Sequence, residues 1–167
     1  VGARLSGKLT ETGKSLDFRL RGQLRSQKAG ARLKLLSGHA ALSEKAVGDG
    51  WHVDLVALKE GGFAYELVAD REGLLTVDLA FAAEVLENGD WKTFEFSMPA
   101  GAVVPLQLEG FGSGISFKPD APIVPAATAQ GWEGFLPADG LASLAWKPTR
   151  VAAEGTLFFT STERSEV

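Results

Sequence analysis

His39 and His52 are the two histidines of a chain that has no cysteine, and they stand 13 residues apart. A zinc centre needs three or four converging ligands, usually announced by paired cysteines or His-Glu-x-x-His. Neither pattern is present, so the histidines read as separate surface or edge residues and no metal is expected. Asp49-Gly50 and Asp139-Gly140 share the Asp-Gly step of calcium loops, but the alternating acids and the distal Glu are missing. Turn chemistry accounts for both. Gly110-Phe-Gly-Ser-Gly-Ile-Ser-Phe117 is glycine-rich without the Lys-Ser/Thr end of a phosphate loop, and it reads as a hairpin or bulge. Ser113 has glycines as immediate neighbours, whereas a nucleophile elbow is spaced Gly-x-Ser-x-Gly. Glu66, Asp78, Glu84 and Glu95 fall on the polar side of strand-like segments, where solvent explains them; a glycosidase would need two such acids to converge in a cleft. With no reactive constellation in view, the sequence reads as non-enzymatic and implies no cofactor.

Residues suited to binding are easier to find. Trp51 and Trp146 lie in apolar segments and are expected in the core or at a sheet end, while Trp91 follows the Asn88-Gly89-Asp90 turn and Trp132 sits in Gln130-Gly-Trp-Glu-Gly134. Exposed planar aromatics on a β-sandwich can stack sugar rings, so Trp91 and Trp132 are candidate carbohydrate contacts, with packing as the competing fate. A second candidate is a basic face. Residues 1–34 hold nine Lys/Arg against two acids, although the whole chain has a net charge of −4. Arg4, Lys8, Arg19, Arg21 and Arg25 all point to the outward side of the first two strands. That face can be solvated or internally neutralised, can dock an acidic neighbouring module, or can bind a polyanion such as an anionic glycan or lipid head group. Nucleic acid is not expected, because the chain is acidic and no aromatics interleave with the basic residues.

The elements that must position these residues are strands. Leu16, Phe18, Leu20, Gly22 and Leu24 alternate with Asp17, Arg19, Arg21, Gln23 and Arg25, the period of a half-buried antiparallel strand, and the Glu11-Thr12-Gly13-Lys14 turn joins them to Leu5 and Leu9. The same alternation predicts strands over 31–36, 51–58, 63–69, 74–86, 92–98, 102–108, 115–118, 134–136, 141–146 and 155–160. On these, Trp51, Val53, Leu55 and Ala57 share one side, as do Phe63, Tyr65 and Leu67. Gly48-Asp49-Gly50, Glu60-Gly61-Gly62, Asn88-Gly89 and Ala138-Asp139-Gly140 supply turns between them. Only 40–47 admits a helical turn or two, with a short excursion between strands as the alternative. Residues 118–130, with three prolines, read as a long loop or edge crossing. No apolar run approaches the ~18 residues of a membrane helix. The fold class expected is all-β, a two-layer antiparallel β-sandwich over 1–148, with 149–167 as a closing strand or the start of a next module.

The succession Trp51-His-Val-Asp-Leu, Phe63-Ala-Tyr-Glu-Leu-Val, Gly73-Leu-Leu-Thr-Val-Asp-Leu-Ala-Phe, Phe94-Glu-Phe-Ser-Met-Pro, Val104-Pro-Leu-Gln-Leu and Leu141-Ala-Ser-Leu-Ala-Trp-Lys-Pro resembles the β-rich modules of large envelope proteins of planctomycete- and verrucomicrobia-type bacteria. The resemblance spans about residues 3–148. It implies a periplasmic or extracellular sandwich within a longer array and brings no catalytic residues with it. The chain begins at Val1 and ends in a polar segment, and is expected to be a piece of such a polypeptide. The resulting expectation is a structural or interaction module whose partners are neighbouring modules, an acidic partner or an anionic glycan. The alternatives are a carbohydrate-binding module using Trp91 and Trp132, or an envelope lipid-transfer fragment, since Gly7-Lys-Leu and Gly22-Gln-Leu lie in basic amphipathic strands of the kind that line β-grooves.

Overall fold

The computed structural model describes residues 2–101, 103–112 and 114–149, and every described element is a strand. In chain order these are β1 (Ala3–Leu9), β2 (Ser15–Ser26), β3 (Arg32–Gly38), β4 (Ala40–Leu42), β5 (Val47–Gly48), β6 (Trp51–Ala57), β7 (Phe63–Ala69) and β8 (Gly73–Glu84). They continue as β9 (Leu86–Asn88), β10 (Trp91–Ser97), β11 (Pro105–Glu109), β12 (Ile115–Phe117), β13 (Ala126–Thr128), β14 (Gly131–Phe135) and β15 (Leu141–Pro148). One sheet runs β13-β14-β11-β1-β2-β8-β4; the other runs β12-β15-β10-β3-β7-β6-β5, with β9 also paired to β10. The two pack face to face as an all-β sandwich, as the alternation predicts.

The first hairpin forms in the expected register, Leu5 opposite Leu20 and Leu9 opposite Leu16, and turns at Gly13 with φ +70°. Its inward residues meet the second sheet in an aromatic keystone. Phe18 and Phe81, cross-strand partners on β2 and β8, stack with ring centroids 5.2 Å apart; Phe94 and Phe96 on β10 stack at 5.6 Å. The two stacks meet edge to face at 5.2–5.3 Å, the arrangement the ring quadrupole favours. Gly7, directly opposite Phe18, makes room for that ring: a Cβ there would lie 2.5 Å from Phe18 Cε1. Trp51 is buried and its Nε1–H donates to the Thr76 carbonyl at 2.9 Å, tying β6 to β8 across the sandwich. Trp146 is also buried, and with Phe111, Phe117 and Trp132 it fills the side of the sandwich between β12 and β14.

The sheets are mostly antiparallel, as expected, and β1 pairs parallel with β11, Leu5 opposite Leu106. Other expectations are corrected. Residues 40–47 contain no helix; β4 pairs with β8 and β5 with β6, so the chain crosses from one sheet to the other and back, and tertiary pairing overrides a weak helical period. Within 118–130, β13 forms an edge strand beside β14. The glycine-rich run from Gly110 is neither hairpin nor bulge: β11 and β12 belong to different sheets, and Gly110, Gly112 and Gly114, all at positive φ, carry the chain between them. Leu55 shares a side with Trp51, and Phe63 with Tyr65 and Leu67, as expected, yet Leu55 and Phe63 are 59% and 63% exposed. The strand expected over 155–160, the tail from 150 onward and Ser113 lie outside the described residues.

Candidate functional site

The outward residues of β1 and β2 do form one face with Arg4, Lys8, Arg19, Arg21 and Arg25. Their counter-charges come from strands distant in sequence. Arg19 Nε–H donates to Asp78 Oδ1 at 2.7 Å, and Arg21 Nε lies 3.5 Å from Asp78 Oδ2. The hydrogen bond from Arg19 is the main reason the Asp78 carboxyl is held below its ordinary range; the same bond raises Arg19. Lys8 stands in register between Asp17 on β2 and Glu109 on β11. Arg4 stands opposite Arg21, an unfavourable like-charge pair in a sheet, and borders a groove of about 370 Å³ with Pro105, Gln107, Glu133 and Phe135. Among the described residues Arg4, Lys8 and Arg25 make no ion pair, although Lys8 has acids in register on both sides. The face is therefore partly neutralised, with residual positive charge at the end where β1 begins and β2 finishes.

The two candidate tryptophans are not brought together. Trp132 faces between the sheets, its ring 4.7 Å from Phe117 in a T-shaped contact. Packing is its role. Trp91 is half-exposed on the outer face of the other sheet, with Lys147 Nζ 4.5 Å from its ring centroid. Beside it lies a groove of about 580 Å³ lined by Asp90, Ser116, Lys147, Pro148 and Thr149. The ammonium occupies one face of the indole, the face a sugar ring would need.

His39 and His52 are indeed separate. His39 Nδ1 lies 3.8 Å from Glu84, whereas His52 joins a ladder of charges across β3, β6 and β7: Nδ1 is 2.8 Å from Asp70 Oδ1 and Nε2 is 3.5 Å from Asp54 Oδ1. Arg32 completes it, donating to Glu66 at 2.8 Å and Asp54 at 3.1 Å, and Glu66 is the first cause of its raised pKa. No group of three or more potential metal ligands occurs among the described residues. Likewise, no described helix is long and apolar enough to cross a membrane.

Sequence reasoning missed two apolar features. The first is a rim. Leu55 pairs with Tyr65 and Ala57 with Phe63, so these four occupy one patch at the end of β6 and β7, and Leu55 and Phe63 are mostly exposed. On the edge away from β7, β5 pairs only with Trp51 and His52 and Val53 N–H donates to the Ala46 carbonyl at 3.1 Å, so among the described residues that edge of β6 has no strand partner from Asp54 onward. The second is a cavity of about 430 Å³ between the sheets, lined by Ala3, Leu20, Gly22, Leu24, Leu33 and Leu67 among others, with Arg25 also in its wall. Its sequence signal is Ala3 and Gly22, the two smallest inward residues of the first hairpin, which are cross-strand partners.

No protein-family model and no curated protein matches the chain. Among solved structures, an aminopeptidase N family protein from Idiomarina loihiensis is similar, with a TM-score of 0.50 at 9% identity, over 87% of this chain and 29% of that one. At that identity the likeness is one of fold, and the chain spans less than a third of that protein's length.

Proposed function

We propose that this chain is a non-enzymatic structural and interaction module of a larger cell-envelope or secreted protein, and that it docks a neighbouring module through the apolar rim of β6 and β7. The observation that carries the reading is the coincidence of an open stretch of strand edge on β6 with large exposed hydrophobic residues, Leu55 and Phe63. An open edge of this kind accepts a further strand through its main-chain groups while pockets beside it select side chains. The residual charge of Arg4 and Arg25 orients the approach of an acidic neighbour. That a similar fold forms part of a longer chain elsewhere supports the modular reading.

The test uses Leu55→Lys with Phe63→Lys. Both positions are exposed, so the variant is expected to keep its far-UV spectrum and melting temperature while losing association with the separately expressed adjacent segments of the parent protein, followed by sedimentation velocity at low salt. If the native chain binds neither those segments nor itself, or if the folded double variant binds equally well, the proposal fails.

A further inference from the structure

We infer that the inter-sheet cavity is a binding site for a single-chain amphiphile with an anionic head, its alkyl chain between the sheets and its head beside Arg25. Two gaps coincide to make this space. In the first sheet the inward pair Ala3 and Gly22 contributes one methyl group where the next inward pair, Leu5 and Leu20, contributes two leucines. In the second sheet β10 pairs with β3 only at Gly38 and Ser37, then leaves through Met98 and Pro99, so among the described residues the remainder of β3, with Leu33 and Leu35, has no strand neighbour on that side. No side chain at position 22 could fill the gap cheaply, because a Cβ there would meet the Gly2 carbonyl oxygen at 2.7 Å and Ala3 Cα at 2.8 Å.

The walls fit an aliphatic occupant. Leu20, Leu33, Leu35, Leu67, Val77 and Val104 contribute aliphatic side chains to the lining, in which Gln23 and Arg25 are the polar members. The space opens to solvent and its surface is mainly apolar, so an aliphatic chain that enters it removes apolar surface from water. An apolar cavity of ~150 Å³ holds benzene, so the 430 Å³ here accommodates a chain of roughly a dozen carbons by the same scale. Leu24 is half-buried on the inward side; the adjoining Arg25 lies on the outer side of β2 but borders the same opening, and is the one cation among its lining residues. Arg25 makes no ion pair among the described residues, so a carboxylate or similar anion at the mouth has a cation at the rim to meet it. A neutral head would leave that charge unmatched.

Decanoate and 1-decanol, titrated into the full chain by isothermal calorimetry, test the assignment. Saturable binding of decanoate at one site per chain is expected, tighter than that of decanol, and it should raise the melting temperature. Leu24→Trp and Ala3→Phe each fill the space from a different strand; either one, if folded by circular dichroism, should weaken decanoate at least tenfold. Arg25→Gln should weaken decanoate about tenfold, the scale of one charge-assisted contact, and leave decanol unchanged. Absence of saturable binding of both probes overturns the proposal, as does undiminished binding by the folded filled variants. Equal affinity for acid and alcohol, indifferent to Arg25→Gln, overturns the anionic head. Because the filling substitutions lie away from Leu55 and Phe63, and the docking test alters neither Arg25 nor the cavity wall, failure here leaves the docking result readable on its own.

Discussion

Replacing Gly7 by Ala probes the packing of the keystone with a single carbon. The new Cβ would sit 2.5 Å from Phe18 Cε1, 2.8 Å from Cδ1 and 3.1 Å from Leu108 Cδ2, so at least the ring must move. It has little freedom to do so, because Phe18 stacks on Phe81 and meets both Phe94 and Phe96 edge on, each at 5.2–5.3 Å. Forcing a methyl group into a filled core costs about 1–3 kcal/mol, against which Gly→Ala recovers about 0.4–1 kcal/mol by restricting the unfolded chain. A net loss of about 1–2 kcal/mol is expected, which lowers the melting temperature by roughly 2–8 °C for a domain of this size. Urea titration followed by tryptophan fluorescence and far-UV circular dichroism gives the same quantity as a midpoint shift at constant slope. The double-mutant cycle is more demanding. With Phe18→Leu in place the ring is gone, so adding Gly7→Ala should then be neutral or mildly stabilising, a coupling of about 1–3 kcal/mol between the positions. A Gly7→Ala variant as stable as the parent, or one that loses the same amount in both backgrounds, would refute the claim that Gly7 is there to seat this ring.

Other perturbations test the charged and aromatic surfaces. The carboxyl of Asp78 has a depressed folded pKa, so its stabilising contribution is fully present above the ordinary carboxylate range near pH ~4 and is lost as pH falls through the lower folded value. Urea midpoints measured from pH 6 downward should therefore fall less steeply below that range for Asp78→Asn than for the parent, and the difference should shrink in high salt, since both partners are substantially solvated. Replacing Arg19, Arg21 and Arg25 together by Gln should leave the melting temperature within a few degrees of the parent. It should weaken binding to acidic adjacent segments or anionic glycans; binding that is indifferent both to these replacements and to salt would reduce the face to a solvated sheet. Trp91→Ala should remove a fluorescence component sensitive to Lys147 while leaving the fold intact. An unchanged emission spectrum in Lys147→Met would contradict the cation–π contact.

The period of two carried most of the architecture, because strand alternation is a local property that any hairpin must satisfy. It assigned the buried faces of Leu16, Phe18 and Leu20 and placed Trp51 and Trp146 in the core. Alternation also put Leu55 on one side with Trp51 and Phe63 on one side with Tyr65, but it could not say how far the opposite sheet extends over them. The basic face illustrates the same limit for charge: the partner of Arg19 is Asp78, 59 residues away, and no local count of acids and bases could find it. The cavity depends on a coincidence between sheets, the Ala3–Gly22 pair on one side and the departure of β10 from β3 on the other. Gly22 was visible as an inward glycine, while the missing strand opposite it was not.

The parallel pairing of β1 with β11 bears on how the chain acquires its structure during synthesis. β1 closes onto β2 across a four-residue turn, an event of microseconds once both have left the ribosome. Its other edge waits for Leu106, about a hundred residues downstream, an interval of roughly 5–20 s at ordinary elongation rates. During that interval the hairpin presents a bare row of backbone donors and acceptors, and any strand that arrives early can occupy them. Arg4 and Lys8 flank that edge, and charged side chains there discourage premature partners, so part of the basic character of the amino-terminal strand is explained by the order in which the chain emerges.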